Sequence, residues 1–259
     1  MPTFTKHTHG TFSWAELATT DAASAKKFYG ALLGWVGDDM LAGPDMIYTM
    51  CKVGSEYAAA LYQMGDSMQG VPPHWASYIT VDDVDATTKR VIEQGGKVVK
   101  EPFEVLDAGR MAVVADPTGV TFCLWTARRH IGAGVLHDAG ALTWNELFTS
   151  DVDRAGKFYA SVIGWTTRAV DMGKMGVYTL FDRVAEQGNA GGMMPLLQPG
   201  VPPHWLVYFA VTDCDASAKQ VEMLGGRVLA PPMDIPNIGR FAVARDPQGA
   251  TFALFQGAH

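Results

Sequence analysis

The chain has 259 residues, 48% of them hydrophobic and 18% charged, with a net charge of −7. That composition gives ample core for a globular fold and excludes a disordered chain, and the acidic balance makes nucleic acid and acidic membrane surfaces poor partners. No apolar run approaches the ~18 residues that span a bilayer. The start, Met1 to His9, lacks the apolar stretch of a signal peptide, so a cytoplasmic location is expected. The three cysteines, Cys51, Cys123 and Cys214, follow no disulfide or CxxC zinc spacing and read as small core residues.

In chain order, residues 11–18 have the length of a strand. Thr20 or Asp21 then supplies an N-cap oxygen; Ala25, Phe28, Tyr29 and Leu32 follow at helical spacing, and Gly34 is placed to end the helix. Two extended segments follow near residues 47–53 and 57–64, separated by Gly54. The pattern restarts with a strand from Trp75 to Val81, an acidic cap at Asp82 or Asp83, and a helix with Val84, Thr88, Val91 and Ile92 on one face, closed by Gly95-Gly96. Strands are predicted near 97–100, 110–115 and 120–125, the last two joined by the turn Asp116-Pro117-Thr118-Gly119. Residues 126–140, with three glycines and no periodicity, read as a loose linker.

The whole arrangement is written twice. Val71-Pro72-Pro73-His74-Trp75 returns 130 residues later as Val201-Pro202-Pro203-His204-Trp205. At the same offset Trp14, Glu16, Phe28-Tyr29, Gly34-Trp35, Gly109-Arg110 and Asp116-Pro117 return as Trp144, Glu146, Phe158-Tyr159, Gly164-Trp165, Gly239-Arg240 and Asp246-Pro247, with no gap between these anchors. This is an internal duplication. The expected domains are 1–126 and 142–259, joined by a linker over 127–141.

The helix Asp21, Lys27-Phe28-Tyr29, Leu33-Gly34-Trp35, followed by Val81-Asp82-Asp83-Val84-Asp85, Gly95-Gly96 and Gly109-Arg110 with Asp116-Pro117-Thr118-Gly119, resembles the pattern of the vicinal oxygen chelate superfamily. That group contains glyoxalase I, the bleomycin-resistance proteins and the extradiol dioxygenases, and the resemblance covers nearly all of both copies. It implies an α+β fold of two tandem domains, each of paired βαβββ modules forming an open half-barrel around a cleft, with helices outside. It also implies a small-molecule ligand in the cleft, held in many members through a divalent metal. Aligned on the shared motifs, the family's ligand positions hold Trp14, Ala76 and Cys123 in the first copy and Trp144, Leu206 and Ala253 in the second. Indole, methyl and isobutyl groups cannot ligate a divalent cation. The remaining position has no anchoring motif; Glu56 and Glu186 lie near it. No metal or other cofactor is therefore expected.

Strand alternation directs Trp14, Glu16, Ala76 and Tyr78 to one face and Ser13, Ala15, Leu17, Ser77, Ile79 and Val81 to the other. Glu16 stands out because a carboxylate inside a half-barrel is costly unless paired or solvated. It recurs as Glu146, opposite Tyr208. Candidate ligand-binding residues are Trp14, Glu16, Tyr48, His74, Tyr78 and Arg110, repeated as Trp144, Glu146, Tyr178, His204, Tyr208 and Arg240. The paired Glu16–Tyr78 reads equally as a structural hydrogen bond, and Arg110 and Arg240 as an anion anchor, a partner for the glutamates or surface side chains. His74 has three readings: a rim residue of a stiff lead-in whose Trp75 packs on a helix, a ligand contact, or a metal ligand. His7 and His9, at chelating spacing, read as incidental in a loose terminal tract.

Two functions compete. One is a metal-independent protein that binds a small apolar or aromatic molecule in an aromatic-lined cleft in each domain. The other is a glyoxalase-like lyase or ring-cleaving dioxygenase with an unusual or absent metal site and Glu16 or Glu146 as general base. A chiefly structural pseudo-dimer is a third reading, and the chain is expected to be a monomer with that internal pairing or a homodimer.

Overall fold

A computed structural model of the chain describes residues 3–43, 46–173, 176–183, 188–198 and 200–258. The first copy runs β1 (Phe12–Thr19), α1 (Ala22–Leu33), β2 (Val36–Gly43), β3 (Met46–Val53), β4 (Glu56–Gln63), β5 (His74–Thr80), α2 (Val84–Glu93), β6 (Lys97–Val105), β7 (Gly109–Ala115) and β8 (Thr121–Ala127). The second runs β9 (Leu142–Thr149), α3 (Val152–Ile163), β10 (Trp165–Asp171), β11 (Val177–Arg183), β12 (Asn189–Pro195), β13 (His204–Ala210), α4 (Cys214–Met223), β14 (Arg227–Ile235), β15 (Gly239–Arg245) and β16 (Thr251–Gly257). Each copy is one eight-stranded sheet, ordered β2-β3-β4-β1-β5-β8-β7-β6 and β10-β11-β12-β9-β13-β16-β15-β14. The central pair β1–β5 is antiparallel, and β1–β4 and β5–β8 are parallel, so each sheet is two βαβββ modules joined at β1–β5. The first sheet forms a half-barrel and the second is less curled.

The helices form where the sequence places them. Asp21 accepts the Ser24 amide, Ala25, Phe28, Tyr29, Leu32 and Leu33 bury one face of α1, and Gly34 ends it at φ 73°. Asp151 and Gly164 repeat both caps on α3. Among the described residues no helix is long and apolar enough to cross a membrane.

The convex, helix-bearing faces of the two copies pack against each other and share one core. The contacts obey the duplication. The Trp75 indole donates to the Tyr29 hydroxyl at 3.1 Å, and Tyr29 donates to Asp246 of the other copy at 3.0 Å. Trp205 donates to Tyr159 at 3.0 Å, and Tyr159 to Asp116 at 3.3 Å. Gly96 and Gly226 make room for this approach: a Cβ there would stand 3.0 Å from the Phe158 ring and 3.1 Å from the Phe28 ring respectively. Ser77 donates to Asn145 across the same seam at 2.8 Å. Burial pushes the Asp246 carboxyl above its ordinary value, against the hydrogen bonds from its own turn and from Tyr29.

Three features differ from the sequence reading. The expected linker, 127–141, packs on the fold: Ala133, Val135, Leu136 and Ala141 are buried, and the Ala133 amide donates to Ser13 at 2.7 Å. The terminal tract is docked as well, with His7 bonded to the Ala133 carbonyl at 2.7 Å and His9 to Ile163 at 3.1 Å, so the two imidazoles serve separate partners. The repeat also slips locally. Gly192 stands level with Glu146 where Ala60 stands level with Glu16, so β12 sits two residues later than the constant offset requires.

The seam makes a stability prediction. Tyr29→Phe leaves the Trp75 indole without its acceptor and Asp246 Oδ2 without its donor, both buried, and should lower the unfolding free energy by about 1–3 kcal/mol in urea denaturation. A change within about 0.5 kcal/mol, the ordinary range for surface positions, would show that the cross-copy chain contributes nothing.

Candidate functional site

With the convex faces joined, the candidate residues gather on the opposite, concave faces. In the first copy Trp14 pairs with Tyr78 and Glu16 with Ala76 across β1–β5, Ala60 stands level with Glu16 on β4, and Cys123 stands level with Tyr78 on β8. Alternation therefore gathers Trp14, Glu16, Tyr48, Tyr78 and Cys123 on one face. The Trp14 indole donates to the Tyr48 hydroxyl at 3.1 Å, and Tyr48 donates to the Glu16 carboxylate at 2.6 Å. Tyr62 lies parallel to Tyr48, with ring centres 6.4 Å apart. The second copy keeps the same side chains in a different bonding pattern: Trp144 donates to Tyr178 at 3.0 Å, and Tyr208, not the β11 tyrosine, makes the short bond to Glu146 at 2.5 Å.

Burial raises the Glu16 carboxyl above its ordinary value, opposed by hydrogen bonds from Tyr48 and Tyr78 and by the charge of Lys100. Burial likewise raises Glu146, against hydrogen bonds from Tyr208 and Tyr178. Glu16 nevertheless keeps part of its surface open, whereas Glu146 is buried. Burial pushes the Cys123 thiol up, reinforced by Glu16; such a thiol is a weak nucleophile.

Of the candidates, the structure brings together Trp14, Glu16, Tyr48 and Tyr78, and in the second copy Trp144, Glu146, Tyr178 and Tyr208. The anticipated Glu16–Tyr78 pair is a larger cluster in which Tyr48 makes the short bond. His74 and His204 sit at the ends of their strands, each ring nitrogen 2.9 Å from a carbonyl, Pro72 or Pro202. Trp75 packs toward α1, as a strand lead-in should. Arg110 and Arg240 go elsewhere. Arg110 binds Asp85 at 2.6 Å and Glu104 at 3.2 Å, and Arg240 binds Asp215 at 2.6 Å and Asp234 at 2.7 Å. Because α2 and α4 carry Asp85 and Asp215, both guanidiniums lie on the helix side of the sheets, away from the glutamates.

The β4 residue level with Glu16 is Ala60, while Glu56 lies at the strand's start, its carboxylate 2.9 Å from the Ser55 hydroxyl. Glu186 lies outside the described residues. The side chains beside Glu16 are then methyl groups, phenols, an indole and one buried thiol. Among the described residues no group of three or more His, Cys, Asp and Glu could hold a metal ion, and the set does not fit the family's divalent metal.

Sequence reasoning missed Tyr62, Lys100 and His130. Tyr62 is two residues past Ala60 on the same strand face, a signal that becomes usable once the β4 register is known. His130 comes from the supposed linker. Its ring stands edge-on to Trp14, with centres 4.7 Å apart, and burial lowers its pKa to about 4, reinforced by His7.

Comparisons with known proteins agree with this architecture. A family profile described as Glyoxalase/Bleomycin resistance protein/Dioxygenase superfamily matches residues 11–124, and a Glyoxalase-like domain profile matches 143–255. The chain is 45% identical over 262 residues to a protein of Mycobacterium tuberculosis (strain CDC 1551 / Oshkosh) named CFP32 and grouped by that name with the glyoxylases, covering 100% of this chain and 99% of the relative. It is 36% identical to the anthracycline biosynthesis protein DnrV of Streptomyces peucetius, over 97% of this chain and 95% of the relative. Among solved structures, the Mn(II)-bound glyoxalase from Novosphingobium aromaticivorans superposes with TM-score 0.65 at 15% identity, covering 96% of this chain and 82% of that one. The 2,3-dioxygenase LapB from Pseudomonas sp. KL28 gives 0.64 at 15% identity, covering 95% and 92%.

The raised Glu16 carboxyl sets a pH dependence. A folded-state value above the unfolded one means that the native state holds the extra proton, so this group's contribution to stability is greatest at low pH and falls as pH rises from 4.5, the ordinary value, through the folded value. The unfolding free energy of Glu16→Gln relative to the parent should therefore shift in the variant's favour as pH rises through that window. Urea titrations at stepped pH, with carbon NMR of the labelled carboxyl, would detect this; a midpoint at or below 4.5 would contradict it.

Proposed function

Because the chain belongs to the glyoxalase/bleomycin resistance protein/dioxygenase superfamily, whose fold alone does not fix its chemistry, we propose that it binds a small aromatic molecule on its concave face without the help of a metal ion. One observation carries this reading: the Trp14–Tyr48–Glu16 relay, with Trp144–Tyr178 and Tyr208–Glu146 as its counterparts, sets an indole and phenols around each glutamate where a metal site would need imidazole and carboxylate donors. Aromatic walls with a few fixed polar groups suit a flat, largely apolar ligand. The anthracycline-biosynthesis name of one relative is in keeping with a polycyclic aromatic molecule.

A glyoxalase-like lyase reading has one observation in its favour. Carboxyls raised by burial, as at Glu16 and Glu146, have a basicity closer to that of a general base working near neutral pH. The binding reading needs fewer parts, since no side chain here would polarise a substrate carbonyl as a metal does.

The test uses the full chain and quinizarin, a neutral dihydroxyanthraquinone, followed by isothermal titration calorimetry alongside elemental analysis. Saturable binding by protein free of divalent metal is expected, weakened about tenfold in Glu16→Gln, the size of one lost hydrogen bond of about 1.4 kcal/mol. Absence of binding, or about one Mn, Fe, Ni or Zn retained per copy, would overturn the proposal.

A further inference from the structure

We propose that the second copy holds a binding site for a small monocarboxylate anion, in a cavity at the start of β9 and β12. The site is separate from the ground around either glutamate and independent of the aromatic-binding reading.

The cavity lies where the first copy packs a segment of chain. There β1 and β4 pair from Glu16 and Ala60 onward, and ahead of that point the connector runs between them. The Ala133 amide donates to Ser13 at 2.7 Å, the Gly134 amide donates to Tyr57 at 2.8 Å, and His7 bonds to the Ala133 carbonyl at 2.7 Å. In the second copy β9 and β12 pair from Glu146 and Gly192 onward. Thr143 and Asn189 are the counterparts of Ser13 and Tyr57 once the two-residue slip of β12 is counted. They line a cavity of about 50 Å³ that opens to the surface, where Asn189 and His137 are exposed. At about 10–15 Å³ for each water-sized group, it has room for roughly four of them.

The wall differs in chemistry as well. Where the first copy has Ala15, Val53 and Tyr57, the second has Asn145, Arg183 and Asn189. Arg183 Nη1 donates to Thr11 Oγ1 at 2.9 Å, which holds a permanent positive charge at the wall. Asn145 is buried, and its Oδ1 accepts from Ser77 at 2.8 Å, so its amide nitrogen is left to donate. His137 Nδ1 lies 3.3 Å from Thr143 Oγ1, and in either tautomer that pair keeps one N–H or O–H to give. Burial holds the His137 imidazole below its ordinary value, reinforced by the Arg183 charge and opposed by Thr143 and Asp138. Leu136 and Leu142 supply apolar wall. Among the described residues the wall carries no carboxylate, in a chain whose net charge is −7. One fixed cation, several donors and an apolar remainder select an anion of few atoms with a hydrocarbon end. A carboxylate accepts through both oxygens, and a short alkyl group meets the leucines. Phosphate would bring more charge and no apolar end.

Equilibrium dialysis of the full chain against radiolabelled acetate reads affinity and stoichiometry together. One acetate per chain is expected, because Ala133 and Gly134 fill the counterpart slot. Affinity should fall at least about tenfold in Arg183→Gln, which removes the charge, and in Thr143→Leu, which enlarges a wall residue. Arg227→Gln, which removes an exposed positive charge on β14, should leave it unchanged. No saturable binding, two acetates per chain, an equal loss in Arg227→Gln, or displacement by inorganic phosphate at equal concentration would each overturn the assignment. If circular dichroism shows that one site variant does not fold, the other decides, and an unchanged affinity there counts against the proposal.

Discussion

The structure depends on an exchange of buried hydrogen bonds between its two copies. Each Asp-Pro turn holds its aspartate by turning one oxygen inward on its own backbone: Asp246 Oδ1 accepts the amides of Gln248, Gly249 and Ala250. The other oxygen is left for a tyrosine of the opposite copy, Tyr29, whose hydroxyl also receives the Trp75 indole. The mirror set is Asp116, Tyr159 and Trp205. A buried carboxylate is tolerable only when its hydrogen bonds are complete, and neither copy alone completes them. Rings close over both chains, with Tyr29 stacked on Trp35 at 5.4 Å and Trp75 edge-on to Phe209 at 5.0 Å. The convex faces are thereby committed to each other. Whatever the protein binds must use the concave faces or the surface.

Much of this was legible in the sequence because the duplication marks its own anchors. Positions kept in both copies are those that make the seam and the relay: Tyr29 and Tyr159, Trp75 and Trp205, Asp116 and Asp246, Trp14 and Trp144, Glu16 and Glu146. Alternation along β1 and β5 then assigned the faces correctly, since Ala15, Leu17 and Ile79 are fully buried on the helix side. What escaped has identifiable physical causes. β2 went unpredicted; an edge strand tolerates residues as polar as Asp38 and Asp39, which are answered by Lys52 and Lys26 at 2.7 and 2.9 Å. Arg110 was misplaced because nothing local says that α2 presents Asp85 to it. The connector looked loose because its order comes from backbone contacts with Ser13 and Tyr57, which leave no periodic trace. His130 was lost with it.

The concave faces show which constraints outlast duplication. Trp, Glu and the two tyrosines persist in both copies, and that persistence alone cannot separate a structural role from a binding one, because a buried glutamate needs its phenols whether or not a ligand is present. The flanking positions are freer to report function, since the relay does not depend on them. Filling a floor with Leu206 and Phe148 removes apolar surface from water, worth about 1.5–3 kcal/mol for each fully buried large side chain, so a face with no ligand to hold gains stability by packing itself shut. The first face keeps Ala18, Ala60 and Ala76 at those positions, yet Ala18, Ala60, Trp14, Tyr78 and Trp125 are all buried, so it too is closed, by large rings set beside small floor residues rather than by large floor residues themselves.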